Sequence, residues 1–168
     1  MKFLSIKEYF YKLNTIGFIL LLMPMVLFIF LYFYQIDHRP MLHDINHVLL
    51  VGKSMLAVLM TVLTIVHWAW VVKVRRLRKV VELANKMDGY FLLALTKMSF
   101  YCGASFLMAL GFYLTGHSGF TAVFILLLLG TAFQWPTPAA FSRQMRLGHI
   151  ERDIIMNNRD LYQKNRKA

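Results

Sequence analysis

The sequence predicts an all-α membrane protein: four transmembrane helices as two antiparallel hairpins, with cytoplasmic helical extensions and an amphipathic C-terminal helix. Composition is the first reason. A chain of 168 residues that is 58% hydrophobic and 16% charged is too apolar for an ordinary soluble domain of that length. The second is a set of apolar stretches, near 15–34, 54–72, 98–115 and 119–135, that hold no Asp, Glu, Lys or Arg. The third is where the charges fall. All Lys and Arg but Arg39 and Lys53 lie in the head, in the connector 73–97 or in the tail 136–168. Basic segments resist translocation, so this asymmetry places both termini and the connector in the cytoplasm of a multi-pass bacterial inner-membrane protein, one domain over 1–168.

The first stretch, about twenty residues, rises about 30 Å, which matches the hydrocarbon core. Lys2, Lys7 and Lys12 give it the look of a signal peptide, but the apolar run is long and residues 35–39 hold no small-residue cleavage site. An uncleaved anchor is expected. Pro24 inside it removes one backbone hydrogen bond and predicts a kink. Lys53 fences the second span on one side, and Lys73, Arg75, Arg76, Arg78 and Lys79 fence it on the other. Lys97 bounds the third, its flexible stem carrying the ammonium to the inner interface.

Gly116-His117-Ser118-Gly119 leaves room only for a tight outer turn, so spans three and four form an antiparallel hairpin. Trp68, Trp70 and Trp135 all fall at inner span ends, where indoles favour the interface. Spans two and three are expected to continue as helices into the connector and to turn near 85–89. Beyond Pro136 and Pro138, Phe141, Met145, Ile150, Ile154 and Leu161 alternate with Arg143, Arg146, Arg152 and Arg159. That spacing suits an amphipathic helix lying on lipid.

The formal charge of +11 is carried on the inner side, because Asp37 and Asp44 balance Arg39 and Lys53 outside. Anionic inner-leaflet lipid is its simplest partner. No aromatic-and-basic recognition motif accompanies it, so nucleic acid is not expected. All eight acidic residues lie outside the four spans, which disfavours a proton- or drug-coupled exporter. Ser99, Ser105 and Ser118 have neither a G-x-S-x-G setting nor an Asp partner, and no enzyme is expected.

His38, His43, His47 and His117 map to the outer side, and His43 and His47 are four apart, on one side of a helix. With Asp37 or Asp44 they are the candidate metal ligands. Nothing fixes them into a set, and wetting of the span ends is the plainer reading, so neither metal nor cofactor is expected. His67 differs in lying within span two. Thr61, Thr64 and His67 are three apart and share one face, the candidate intramembrane polar stripe. Span three offers a packing face instead: Ser99 and Gly103 are four apart, as are Ser105 and Ala109, an interval at which small residues let backbones approach. The helix is expected at the centre of the bundle or in a subunit contact.

Within 90–146, Ala104-Ser105-Phe106, Leu114-Thr115-Gly116 and Trp135-Pro136-Thr137 resemble a group of small uncharacterised four-span bacterial membrane proteins. In that group an acidic residue often precedes the span-three glycine and an Arg-Pro closes span four. Here Cys102 precedes Gly103 and Trp135 precedes Pro136. The resemblance covers about a third of the chain and implies architecture alone.

These features predict a non-catalytic accessory or assembly subunit whose partner is another membrane protein or a second copy of itself. The rival is a homo-oligomeric channel, transporter or holin-like pore that uses Thr61, Thr64 and His67 with Ser99 and Gln134.

Overall fold

The computed structural model describes residues 5–37 and 45–157, and the regular structure among them is α-helical. The elements are α1 (Ile6–Asp37), α2 (Ile45–Leu77), α3 (Leu83–Thr115), α4 (Ser118–Phe133), α5 (Pro138–Met145) and α6 (His149–Met156). The first three have 32, 33 and 33 residues, about 50 Å each at 1.5 Å per residue. All three are long and apolar enough to cross a bilayer. With 16 residues, α4 rises only about 24 Å, and it reaches spanning length only together with α5, from which it is bent by 81°. The chain therefore has three helices able to cross a membrane, or four if the bent pair is one span.

Each long helix outruns the apolar stretch that predicts it, beginning at Ile6, Ile45 and Leu83 rather than near 15, 54 and 98. Lys53 and Lys97 thus lie inside helices; ahead of Lys97 the helix is held by burial of Met87, Tyr90, Phe91 and Ala94 in the chain's own core. The turn between α2 and α3 falls at 78–82 instead of 85–89. Gly89, which looks like a turn residue, serves close packing: a Cβ there would lie 2.5 Å from Leu77 Cδ1 at the end of α2.

The tail also departs from expectation, forming two short helices in place of one. Pro136 forces Trp135 out of the helical region, Thr137 then caps α5 by accepting from the Ala140 N–H at 3.1 Å, and Pro138 opens the helix, a position that suits its missing N–H. Helix α5 ends at Arg146, which takes the left-handed conformation (φ 51°, ψ 50°). There the Leu147 N–H reaches Ser142 O at 3.1 Å and the Arg146 N–H reaches Arg143 O at 3.3 Å, a Schellman closure with Arg where glycine is usual.

The central helix is α3, on which α1, α2 and α4 all pack. Helix α1 runs parallel to it, with Tyr9 OH donating to Met87 O at 2.8 Å near one end and Gln35 Nε2 donating to Phe112 O and Tyr113 O at 2.8 and 2.7 Å near the other. Helix α4 returns antiparallel after Gly116, whose left-handed φ of 64° lets its N–H close back on Phe112 O at 2.7 Å. Phe28 of α1 stacks on Phe124 of α4 with centroids 4.1 Å apart. The apolar interior forms two layers. At the turn end it gathers Phe28, Leu59, Met108, Ala109, Phe112, Phe120 and Phe124. At the tail end it gathers Ile6, Tyr9, Leu13, Val74, Met87, Tyr90, Phe91, Phe141, Met145 and Ile155. Hence Phe141 and Met145, expected on a lipid-lying helix, are buried in the chain's own core, while Ile150 stays exposed. Lys86 Nζ holds α6 to α3 through Glu151 at 3.0 Å.

Candidate functional site

Between the two layers lies a polar cluster with Lys97 at its centre. Lys97 is 7% exposed and about 27 Å of helix rise from Thr115, close to one hydrocarbon thickness. Its ammonium donates to Gln134 Oε1 and sits 3.9 Å from the centroid of the Trp70 ring, with the Tyr101 ring at 5.7 Å. A cation over an indole face gains from the ring quadrupole, most of all where water is thin. Gln134 is placed there because it closes α4, just before the Trp-Pro break. That break in turn aims Trp135, whose Nε1 donates to Asn14 Oδ1 at 2.9 Å and whose ring packs on Phe18 at 4.7 Å. One level of side chains thereby ties α1, α2, α3 and α4 together. With its face given to Lys97, the Trp70 ring has a buried Nε1 that finds no acceptor among the described residues.

Beside this cluster is a cavity of about 40 Å³ lined by Gly17, Pro24, Tyr101, Ser105, Thr131 and Trp135, among others. It has room for a few water-sized molecules. The arrangement supplies a fixed cation and hydroxyl and amide groups. Its chemistry is that of a latch whose cation borders a small, mostly apolar cavity. Removing the buried ammonium leaves no charge unpaired, since the Gln134 side chain reaches the surface, whereas removing its partner leaves a buried charge uncompensated. Lys97→Met should therefore unfold within about 1 kcal/mol of the parent in mixed-micelle denaturation, and Gln134→Leu should lose about 1–3 kcal/mol; the reverse order would show that the amide is not the ammonium's partner.

Sequence reasoning takes Lys97 as the bound of the third span, with its ammonium carried to the inner interface; the structure turns that ammonium onto Trp70 and Gln134. The signal was Phe91-Leu92-Leu93-Ala94-Leu95 just before it, an apolar run that continues the same helix.

The candidates named from sequence are dispersed. Thr61, Thr64 and His67 lie on α2, and all three are exposed. The two threonines bond back to their own helix, Thr61 Oγ1 to Ala57 O at 2.9 Å and Thr64 Oγ1 to Met60 O at 2.8 Å. His67 meets the Trp70 ring at 6.2 Å and makes no hydrogen bond to a described residue. The small-residue set divides: Ser105 and Ala109 are buried in the α3 contacts, whereas Ser99 and Gly103 are exposed, with nothing within 4 Å of a Cβ built on Gly103. The two pairs lie about 120° apart around a helix of 3.6 residues per turn, so one face cannot bury both.

His38 and His43 lie outside the described residues, as does the side chain of His47. His117 is exposed, and its Nδ1 accepts from the Gly119 N–H at 3.0 Å to cap α4, which commits one of its two ring nitrogens. No three His, Cys, Asp or Glu side chains converge among the described residues.

What fold and site together define is a multi-pass α-helical membrane protein. No family model, no curated protein and no solved structure matches the chain.

Proposed function

We propose that the protein is a non-catalytic accessory or assembly subunit of a bacterial inner-membrane complex, crossing the bilayer four times with both termini in the cytoplasm, and that a helix of another membrane protein docks on the Thr61, Thr64 and His67 face of α2. One observation carries this reading: His67 is exposed, about 4.5 Å of helix rise on the apolar side of Trp70, and has no hydrogen-bond partner among the described residues. Lipid tails offer an imidazole N–H no acceptor, so ionisable groups at that depth face protein or water, and interhelical hydrogen bonds from His are a recurrent means of association. The basic rim of Lys73, Arg75, Arg76 and Lys79, all exposed, gives anionic lipid a second set of contacts.

The test is affinity purification of the full chain from membranes in mild detergent, with cross-linking from cysteines placed at Thr64 and Trp68. A stoichiometric membrane-protein partner is expected, and His67→Phe should weaken its retention about three- to thirtyfold, the range of one intramembrane hydrogen bond, without lowering expression. Recovery of the chain alone, uncross-linked at both positions, would end this reading.

Buried Lys97 and the cavity beside it favour a second reading, a homo-oligomeric channel or transporter. A purified homo-oligomer that conducts ions in liposomes, and loses conductance in Lys97→Met, would put that reading first.

A further inference from the structure

At the 81° corner between α4 and α5 a groove opens that is lined by arginines and aromatic rings. It has a volume of about 600 Å³, within the range of small-molecule sites, and its lining includes Phe133, Trp135, Ser142, Arg143, Arg146 and Arg152. No carboxylate among the described residues lines it. The three arginines are exposed, and none of their guanidiniums forms an ion pair or hydrogen bond with a described residue. They come from two helices and the turn between them, so the fold, and not local sequence, brings them to one mouth.

Two further observations say what kind of anion fits. Ile125, Leu126, Leu129 and Phe133 are exposed on α4, Phe133 at 86%, and their three- and four-residue spacing makes one apolar strip leading down the helix to the groove. Arg146, meanwhile, is the only non-glycine with positive φ among the described residues. A left-handed backbone disfavours any side chain with a Cβ, and such strain persists where the side chain has a use. Glycine would close α5 more comfortably; arginine there adds a guanidinium to the groove.

We propose that this groove binds the phosphate headgroup of an anionic phospholipid, with Arg143, Arg146 and Arg152 around the phosphate and an acyl chain along the Leu126, Leu129 and Phe133 strip. Guanidinium forks match phosphate oxygens in pairs, Trp135 suits the headgroup level, and the bend lays α5 across the direction of α4 where a bilayer surface would run. The site rests on the reading of the basic rim as lipid-facing, but it is narrower: it requires these three arginines, where diffuse attraction would use any exposed cation.

The experiment uses the full chain in a neutral detergent, titrated with dioleoylphosphatidylglycerol and, in parallel, with dioleoylphosphatidylcholine or inorganic phosphate. Retained lipid is counted by native mass spectrometry, and the unfolding temperature is followed. Phosphatidylglycerol should be retained in preference to phosphatidylcholine and should raise the unfolding temperature, with inorganic phosphate failing to displace it. Each of Arg143→Gln, Arg152→Gln and Arg146→Gly should weaken it about fivefold, while the Arg75→Gln, Arg76→Gln double variant, which touches only the diffuse rim, weakens it less than any one of the three. Arg146→Gly is the sharpest arm, because it relieves backbone strain and should be at least as stable as the parent while binding less. Equal loss from the Arg75 and Arg76 changes would leave the lipid-facing rim standing and overturn the site. Displacement by inorganic phosphate, or equal retention of phosphatidylcholine, would overturn it as a lipid site.

Discussion

Leucine at position 111 is expected to force α4 away from α3 and to lower stability by about 3 kcal/mol, the upper range for overpacking a well-filled core. Even the first added atom has no room: a Cβ on Gly111 would fall 2.7 Å from Cδ1 and 2.8 Å from Cζ of Phe120, and closer still to Cε1. Phe120 has nowhere to retreat, because it is fully buried against the ring-rich layer that holds Phe28, Met108, Phe112 and Phe124. The hairpin turn adds to the constraint. Gly116 and the His117 cap fix where α4 starts, so α4 has little freedom to slide. Gly111→Ala should show the same effect at about 1–2 kcal/mol, and adding Phe120→Leu should recover part of it, a coupling that a double-mutant cycle in mixed-micelle unfolding would read directly. Additive losses would mean that the ring and the glycine do not meet.

The hairpin was legible in the sequence because a four-residue link between two apolar runs admits one solution. The helix ends were less legible. Charges at Lys53, Lys73 and Lys97 bound the apolar runs, but the helices extend past those charges, and the tail-end layer draws its residues from 6 to 155. No local window contains that layer. Tyr9, Val74, Met87 and Phe141 lie on four different helices and reveal their common purpose only once folded. The same distance in sequence hid the Lys97 cluster, whose members Trp70, Lys97 and Gln134 come from three helices. Thr61, Thr64 and His67 illustrate the converse: periodicity puts them on one face, yet it cannot say whether that face looks inward or outward. Both readings keep the same spacing, and the choice is made by neighbours such as Leu59 and Val74, which occupy the buried side of α2.

Alanine at Tyr9 is expected to release the tail while sparing the rest of the bundle, at a cost of about 3–5 kcal/mol, the usual loss for a large buried aromatic. Tyr9 is fully buried, packs edge-on to Phe10 at 5.0 Å and against Phe91 at 5.5 Å, and donates to Met87 O at 2.8 Å. Its layer is what α5 and α6 fold upon. Each has eight residues, too few for a helix to persist alone in water, and each is held by a few buried side chains, Phe141 and Met145 for α5 and Ile155 for α6. The Tyr90 hydroxyl and the Arg78 Nε both bond Gln144, at 2.9 and 2.7 Å, but two surface-reaching hydrogen bonds do not replace an aromatic core. Limited proteolysis of Tyr9→Ala should thus cut within 138–156 under conditions that leave the parent whole, while the turn-end layer, which has no contribution from Tyr9, keeps α3 and α4 protected. Tyr9→Phe should lose only about 1 kcal/mol, the worth of the hydroxyl's hydrogen bond. Phosphatidylglycerol retention should fall in Tyr9→Ala although every arginine remains, because Arg143 and Arg152 are brought to one groove by the docking of α5 and α6. Protection of 138–156 in that variant would show that the tail is held by something other than the layer Tyr9 anchors.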